Sequence, residues 1–197
     1  MAAKTLAWYT GKPLIPIHHI TGHIYANRFV ETLKYPLLAL VVSGGHTELV
    51  YLKEEFNFEI LGSTQDDAIG EAYDKVARVM GLPYPGGPQI DRLAKEGVPH
   101  YKLPKVKTQK PFQEAALDEL LSKTQIALDT FTVEHLVLAG GVAANSRLRE
   151  RILDLKNKYP KLLITIPPMW CCTDNAAMIG AVAEVAFRHG VVGSLDL

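Results

Sequence analysis

The sequence is poor in the features that fix a fold from outside a hydrophobic core. Only 2 of its 197 residues are cysteine, Cys171 and Cys172, and they are adjacent. Neighbouring cysteines are badly placed for an ordinary mutual disulfide, which excludes a disulfide scaffold and points to a reducing compartment. Net charge is also missing, since 21 Lys+Arg stand against 21 Asp+Glu. That balance argues against a generally basic nucleic-acid binder, although a local basic patch is compatible with it. The uncharged stretch between Lys34 and Glu48 is too short, and too interrupted by Gly and Ser, to match the roughly 20 apolar residues of a membrane span. The start, MAAKTLAWYTGK, lacks the long apolar stretch and small-residue cleavage site of a signal peptide. The expectation is a cytoplasmic protein with no membrane role.

What the sequence does contain is ordinary for a globular chain: 48% hydrophobic residues, 21% charged, 15 Gly and 12 Pro. A chain of this length buries about 70% of its unfolded surface, enough for one large domain or two small lobes. Residues 2–10 have helical composition and stop at Gly11, and a Pro-flanked extended piece leads to a second helix over 18–33. Strands are expected over 37–42, 48–52 and 56–61, joined by tight turns. Asp66 and Asp67 offer capping carboxylates before a helix whose apolar positions Ile69, Ala72, Val76, Val79 and Met80 share one face, ending at Gly81. A turn at 84–88, a helix over 89–96 and a helix over 113–131 follow. The tail alternates strand 136–139, helix 145–159, strand 162–166 and helix 174–189, an α/β arrangement.

Several groups of residues have chemical potential. His19 and His23 are four apart, so a helix puts both imidazoles on one face, as a divalent metal requires. Residue 20 is Ile rather than the Glu that a zinc protease places after its first His, which disfavours that chemistry. The same spacing also suits two surface or capping histidines. Ser43-Gly44-Gly45-His46-Thr47 reads either as a phosphate cradle, where glycines let backbone N–H groups converge, or as a plain hairpin turn. Residues 136–145 read as strand, Gly140-Gly141 turn and helix start, an arrangement that brings a nucleotide to backbone amides. They lack both the GxGxxG spacing and the Lys-Ser/Thr of a P-loop. Thr173 and Asp174 are N-cap candidates for the last helix, and Asp174 is alternatively a carboxylate ligand. Asp74 and Asp91 suit ribose hydroxyls or a solvated helix surface. Lys102, Lys105, Lys107 and Lys110 suit RNA phosphates or a basic loop. Cys171 and Cys172 have no base partner in sequence and are expected to pack beside Trp170.

Six blocks occur together and in order: 19–23 (HITGH), 42–47 (VSGGHT), 66–75 (DDAIGEAYDK), 84–88 (YPGGP), 140–145 (GGVAAN) and 172–175 (CTDN). With them the chain resembles the TsaD-like tRNA threonylcarbamoyladenosine synthases, formerly called O-sialoglycoprotein endopeptidases or glycoproteases. The resemblance implies an α/β fold of the actin-like ATPase class (ASKHA, ribonuclease H-like), with an incomplete first lobe and most of the second. On that basis 1–35 is a remnant of the first lobe with the His pair, 36–173 is the second lobe, and 174–197 is a C-terminal helix returning toward the cleft. It also implies transfer of a threonylcarbamoyl group from threonylcarbamoyl-AMP to the adenosine beside the tRNA anticodon, adenosine 37. His19, His23 and Asp174 would be the metal ligands, for iron(II), with zinc or magnesium as alternatives. Val41, Val42, Ser43, Gly44, Gly45, His46 and Thr47 would hold phosphate and the threonylcarbamoyl group. Asp74, Gly87, Asp91 and Asn145 would line the adenosine pocket. Besides tRNA, the implied partners are a paralogous actin-like subunit and a small ATPase.

The chain departs from the family pattern in three places. Nothing in 1–11 resembles the family's Glu-Thr-Ser-Cys-type loop, Lys110-Pro111-Phe112 joins Gln113 without the family's aromatic-Ser-Gly-Leu-Lys-Thr segment, and the chain stops at Leu197. A deleted core segment exposes apolar surface, so homo-oligomerisation or partner binding is an expectation. Three readings follow: the transferase, a non-catalytic truncated paralogue or interaction module, and a metallohydrolase.

Overall fold

The computed structural model describes residues 2–98 and 112–194. The lysines at 102, 105, 107 and 110 lie outside them, as does the junction before Phe112. The fold is mixed α/β, built on one five-stranded sheet. Its strands are β1 (Leu37–Val42), β2 (Thr47–Leu52), β3 (Phe58–Ser63), β4 (His135–Ala139) and β5 (Leu163–Thr165). The spatial order is β3-β2-β1-β4-β5. β1 pairs antiparallel with β2, and β2 with β3, whereas β1 and β4 run parallel, as do β4 and β5. This order and polarity are those of a ribonuclease H-like sheet, the unit from which actin-like ATPases are built.

β1 lies at the centre and all of it is buried. Its apolar run does not alternate with polar residues because both faces are covered. Leu38, Leu40 and Val42 face one layer together with Leu136 and Leu138 of β4, whereas Leu37, Ala39 and Val41 face the other with Val137 and Ala139. The first layer holds α3 (Ile69–Val79), α4 (Gly86–Glu96), α5 (Phe112–Thr130) and α6 (Ser146–Lys158), which contribute Tyr73, Ile90, Leu117, Leu121, Leu148 and Ile152. The second holds α2 (His19–Tyr25) and α8 (Ala176–Arg188), through Ile20, Ile24, Tyr25, Val182 and Val185. Each such aliphatic side chain contributes about 1.5–3 kcal/mol by burial. α1 (Ala2–Thr10) buries only Ala7 and ends at Gly11, whose φ of +62° is the left-handed cap expected of it. α7 (Met169–Cys172) is a single turn.

Element types agree with the sequence reading, and the differences are informative. The helix expected over 18–33 ends at Tyr25 and continues as a 3-10 turn, Ala26–Phe29. There the buried Asn27 turns its amide to the carbonyls of Ile24 and, at 2.9 Å, Leu138. Neither Asp66 nor Asp67 caps α3. The hydroxyl of Thr47, distant in sequence, accepts from the Ile69 N–H at 2.9 Å, and Asp67 pairs with Lys75 instead. α4 starts at Gly86, so the YPGGP turn is the helix entry, with Pro85 as N-cap. The strand expected over 56–61 is shifted to 58–63, because Phe56 sits at φ +62° in the turn.

His135 opens β4 with no exposure to solvent. Its Nδ1 accepts from the Lys34 N–H at 3.2 Å and its Nε2 meets the Thr165 hydroxyl, a pairing that suits the neutral ring. Burial drives its pKa down to about 4. The unfolded chain therefore holds this proton between pH 4 and the ordinary 6.5 while the folded one does not, so stability is complete above 6.5 and is lost as pH falls. Lowering the pH from 7 to 5 is expected to remove about 2 kcal/mol through this residue. His135→Gln should flatten the profile in urea unfolding at the two pH values; an unchanged slope would refute the assignment.

Candidate metal and nucleotide site

The loops leaving the parallel strands β1 and β4 meet at one rim of the sheet, the place where open α/β sheets take their ligands. Gly140 follows β4 at φ +91°, and a Cβ there would collide with the Val42 carbonyl at the end of β1. Only glycine satisfies both demands.

At this rim α2 and α8 approach closely because residue 22 is glycine. A Cβ on Gly22 would lie 2.9 Å from Ile179 Cδ1 and 3.3 Å from Met178 Cγ. The helix spacing puts His19 and His23 side by side, their rings 4.7 Å apart and edge to face. Asp174, just before α8, reaches both: one carboxylate oxygen stands 3.2 Å from each Nε2. Capping does not compete for it, since the Asn175 side chain accepts from the Met178 N–H at 2.9 Å and caps α8 alone. The capping role anticipated for Thr173 and Asp174 therefore belongs to Asn175.

Two imidazole nitrogens and a carboxylate oxygen thus lie within 4.8 Å of one another. His23 is 2% exposed whereas the Asp174 side chain is 77% exposed, so the cluster has a buried wall and an open side. Burial, then the neighbouring His19, holds the His23 pKa below its ordinary value, which keeps the ring in the neutral form a metal needs. Among the described residues its buried Nδ1 has no hydrogen-bond partner, and the ring's polar contact is made through Nε2. This donor set fits a divalent transition metal and leaves coordination positions toward solvent.

Val41 and Val42 are core residues at the end of β1, and the Ser43–His46 turn follows. The Ser43 N–H donates to the His46 carbonyl at 2.8 Å, and the His46 N–H to the Ser43 hydroxyl at 3.0 Å. Gly44 and Gly45 face open space, and their amides donate to nothing among the described residues. The turn rests on the start of α3, where the Gly70 N–H donates to the Ser43 carbonyl at 3.2 Å. A Cβ on Gly70 would come within 2.6 Å of that oxygen. The turn is thus a hairpin, as one of the two sequence readings expected. α7, which ends two residues before Asp174, packs against the Gly141–Ala144 turn after β4, so the His19, His23 and Asp174 cluster lies at the same rim.

Asp74, Asp91 and Asn145 are half-buried or buried rather than solvated, and each already holds a helix start. Asp74 accepts from the Gly86 N–H at 2.7 Å, Asp91 from the Ser146 hydroxyl at 2.9 Å, and Asn145 from the Leu148 N–H at 2.9 Å. They fasten the entries of α4 and α6 to each other and to α3, while Gly87 faces open space in the first turn of α4. Gly22, Gly70, Ser146 and Arg149 were missed from sequence. A glycine inside HITGH and another inside DDAIGEAYDK were the available signals.

The model of the TsaD family, tRNA N6-adenosine threonylcarbamoyltransferase, matches residues 1–181. The chain belongs to this family. Its TsaD-family relatives, each named tRNA N6-adenosine threonylcarbamoyltransferase, include those of Bacillus licheniformis, 46% identical over 231 positions that cover all of this chain and 68% of the relative, and Bacillus subtilis, 46% identical with 67% of the relative covered. That of Listeria welshimeri is 47% identical over 232 positions, with 67% of it covered. The chain thus spans about two thirds of the length of these TsaD proteins. A match of 231 positions to 197 residues also means that they carry residues inside the match with no counterpart here. Among solved structures, the activator of the 2-hydroxyisocaproyl-CoA dehydratase from Clostridium difficile with bound ADPNP is similar at TM-score 0.47 and 14% identity, over 92% of this chain and 72% of that one.

Gly70→Ala is expected to destabilise the fold by about 1–3 kcal/mol, because the backbone of the Ser43–His46 turn cannot yield as a side chain does. Gly87→Ala meets no atom within 4 Å and should leave the unfolding midpoint unchanged. Thermal unfolding of both variants checks the pair; equal midpoints would refute the packing argument.

Proposed function

We propose that this chain is a tRNA N6-adenosine threonylcarbamoyltransferase, taking threonylcarbamoyl-AMP as donor and the adenosine beside the tRNA anticodon as acceptor. The observation that carries the reading is the convergence of His19, His23 and Asp174, from both ends of the chain, beside the turn after β4 that packs on the end of β1. Family membership and the relatives' names support it.

In the reaction the adenosine N6 amine attacks the carbamoyl carbon, the bond from that carbon to the phosphate oxygen breaks, AMP leaves and the amine loses a proton. The amides of Gly44 and Gly45, without an acceptor among the described residues, suit the phosphate. The framework around Asp74, Gly87, Asp91 and Asn145 suits the adenosine of the donor. Holding both reactants in register contributes much of the rate for so weak a nucleophile. His19, His23 and Asp174 would hold one divalent ion, which when bound neutralises phosphate charge and polarises the carbamoyl carbonyl. The donor set favours iron(II) or zinc, since magnesium prefers all-oxygen surroundings. The cytoplasm, and a complex with a paralogous actin-like subunit and a small ATPase, complete the reading; among the described residues no helix is long and apolar enough to cross a membrane.

One observation favours a second reading, an interaction module without catalysis: the relatives' unmatched internal residues, together with the exposed Leu6, Trp8 and Tyr9 of α1. Native mass spectrometry with iron(II) and threonylcarbamoyl-AMP separates the two. The transferase requires one metal and one adenylate per chain, both lost in Asp174→Ala, and transfer to tRNA in a radiolabel assay. A folded chain that binds neither would establish the module.

A further inference from the structure

The loop bearing Asp174 is hydrogen-bonded to the loop after β4 through one side chain from the opposite layer. Arg149 lies one turn into α6, half-buried, beyond the Gly141–Ala144 turn. Its Nε–H donates to the Ala143 carbonyl at 3.0 Å. Its Nη2 donates to the Pro167 carbonyl and lies 3.8 Å from the Cys172 Sγ. Pro167 opens the segment that follows β5, and Cys172 stands two residues before Asp174. One guanidinium therefore spans the loop after β4 and the loop after β5.

Ahead of Asp174, the other contacts of that second loop with the rest of the described residues are apolar and leave its direction to the guanidinium: Trp170 lies against Phe29 and Cys172 is part of the core. The Cys172 thiol turns back to the carbonyls of Pro167 and Pro168, and the Cys171 N–H bonds Pro168, all contacts within the loop. Asn175 ties Thr173 to the start of α8. Cys171 packs with Ala26 and Met178, which fixes the middle of α7 against the layer of α2. Among the described residues no carboxylate pairs with Arg149, so its donors are spent on neutral main-chain oxygens, where a planar fork fixes direction as well as distance.

We propose that Arg149 is a positioning residue that sets Asp174 at the distance from His19 and His23 a metal requires, and locks that setting to the Gly141–Ala144 turn. The proposal rests on the metal reading above. Lysine has no fork and reaches only one of the two carbonyls at a time, so it restores part of the effect. Methionine restores none.

Cobalt(II) titration of the full chain, followed by its visible absorption, tests this without an activity assay. Arg149→Met is expected to weaken cobalt binding at least tenfold and Arg149→Lys about threefold. Ile152→Val, a core change in the same helix, should leave it within twofold. Should Arg149→Met not fold, the contrast between Arg149→Lys and Ile152→Val decides. Cobalt affinity within twofold of the parent in the Arg149 variants, or an equal loss in Ile152→Val, would reduce Arg149 to a structural tie and overturn the proposal. No cobalt binding by the parent chain would overturn the metal reading itself, and the proposal with it.

Discussion

The approach of α2 to α8 at Gly22 is the constraint on which the rim depends. Without a side chain there, Met178 and Ile179 come into contact with the α2 backbone, and the residues just before α8 are drawn over the His pair. A cluster built from residues 19, 23 and 174 needs this, because no local turn brings such distant positions together. The cost of crowding two imidazoles and a carboxylate is met by burial of Ile20, Ile24, Val182 and Val185 beneath them. The hydrophobic layer is thus the support of a polar site, and each chemical group stands at the end of an element whose other face is core.

The opposite layer obeys a similar logic with different means. There the backbones themselves touch: Gly70 against Ser43, Gly140 against Val42, and Gly86 against Tyr73 and Asp74. Side-chain oxygens from Thr47, Asp74 and Asn145 take up amides at the helix starts, and Asp91 takes the Ser146 hydroxyl. Helix entries and strand exits therefore share a few hydrogen bonds, and a change in one is felt in its neighbours.

Much of this is legible in the sequence. Apolar runs bounded by Gly or Pro mark the strands, and the i, i+4 spacing of His19 and His23 puts both imidazoles on one helix face. What sequence spacing cannot supply is the partner of a side chain across the fold. Asp66 and Asp67 look like caps for α3 because they are adjacent to it, yet a hydroxyl from β2 takes that role. Thr173 and Asp174 look like caps for α8, yet Asn175 has the better geometry and leaves Asp174 free. Arg149 gives no signal at all, since an arginine on an amphipathic helix reads as solvated surface until the carbonyls it reaches are known. Local rules fail where long-range geometry decides between two residues of equal propensity.

The open edge of the sheet lies on the flank away from this chemistry. β3 pairs on one side only, is exposed along nearly its whole length, and presents Phe58 and Ile60 outward. A six-residue edge strand with one side unpaired among the described residues is a template for backbone pairing with a foreign extended segment. The strands that carry the reactive loops, β1 and β4, are interior and already paired on both sides. Growth of the sheet by an added strand would therefore proceed without displacing a ligand-bearing residue, so self-association through β3 and an intact site are structurally compatible in the same molecule.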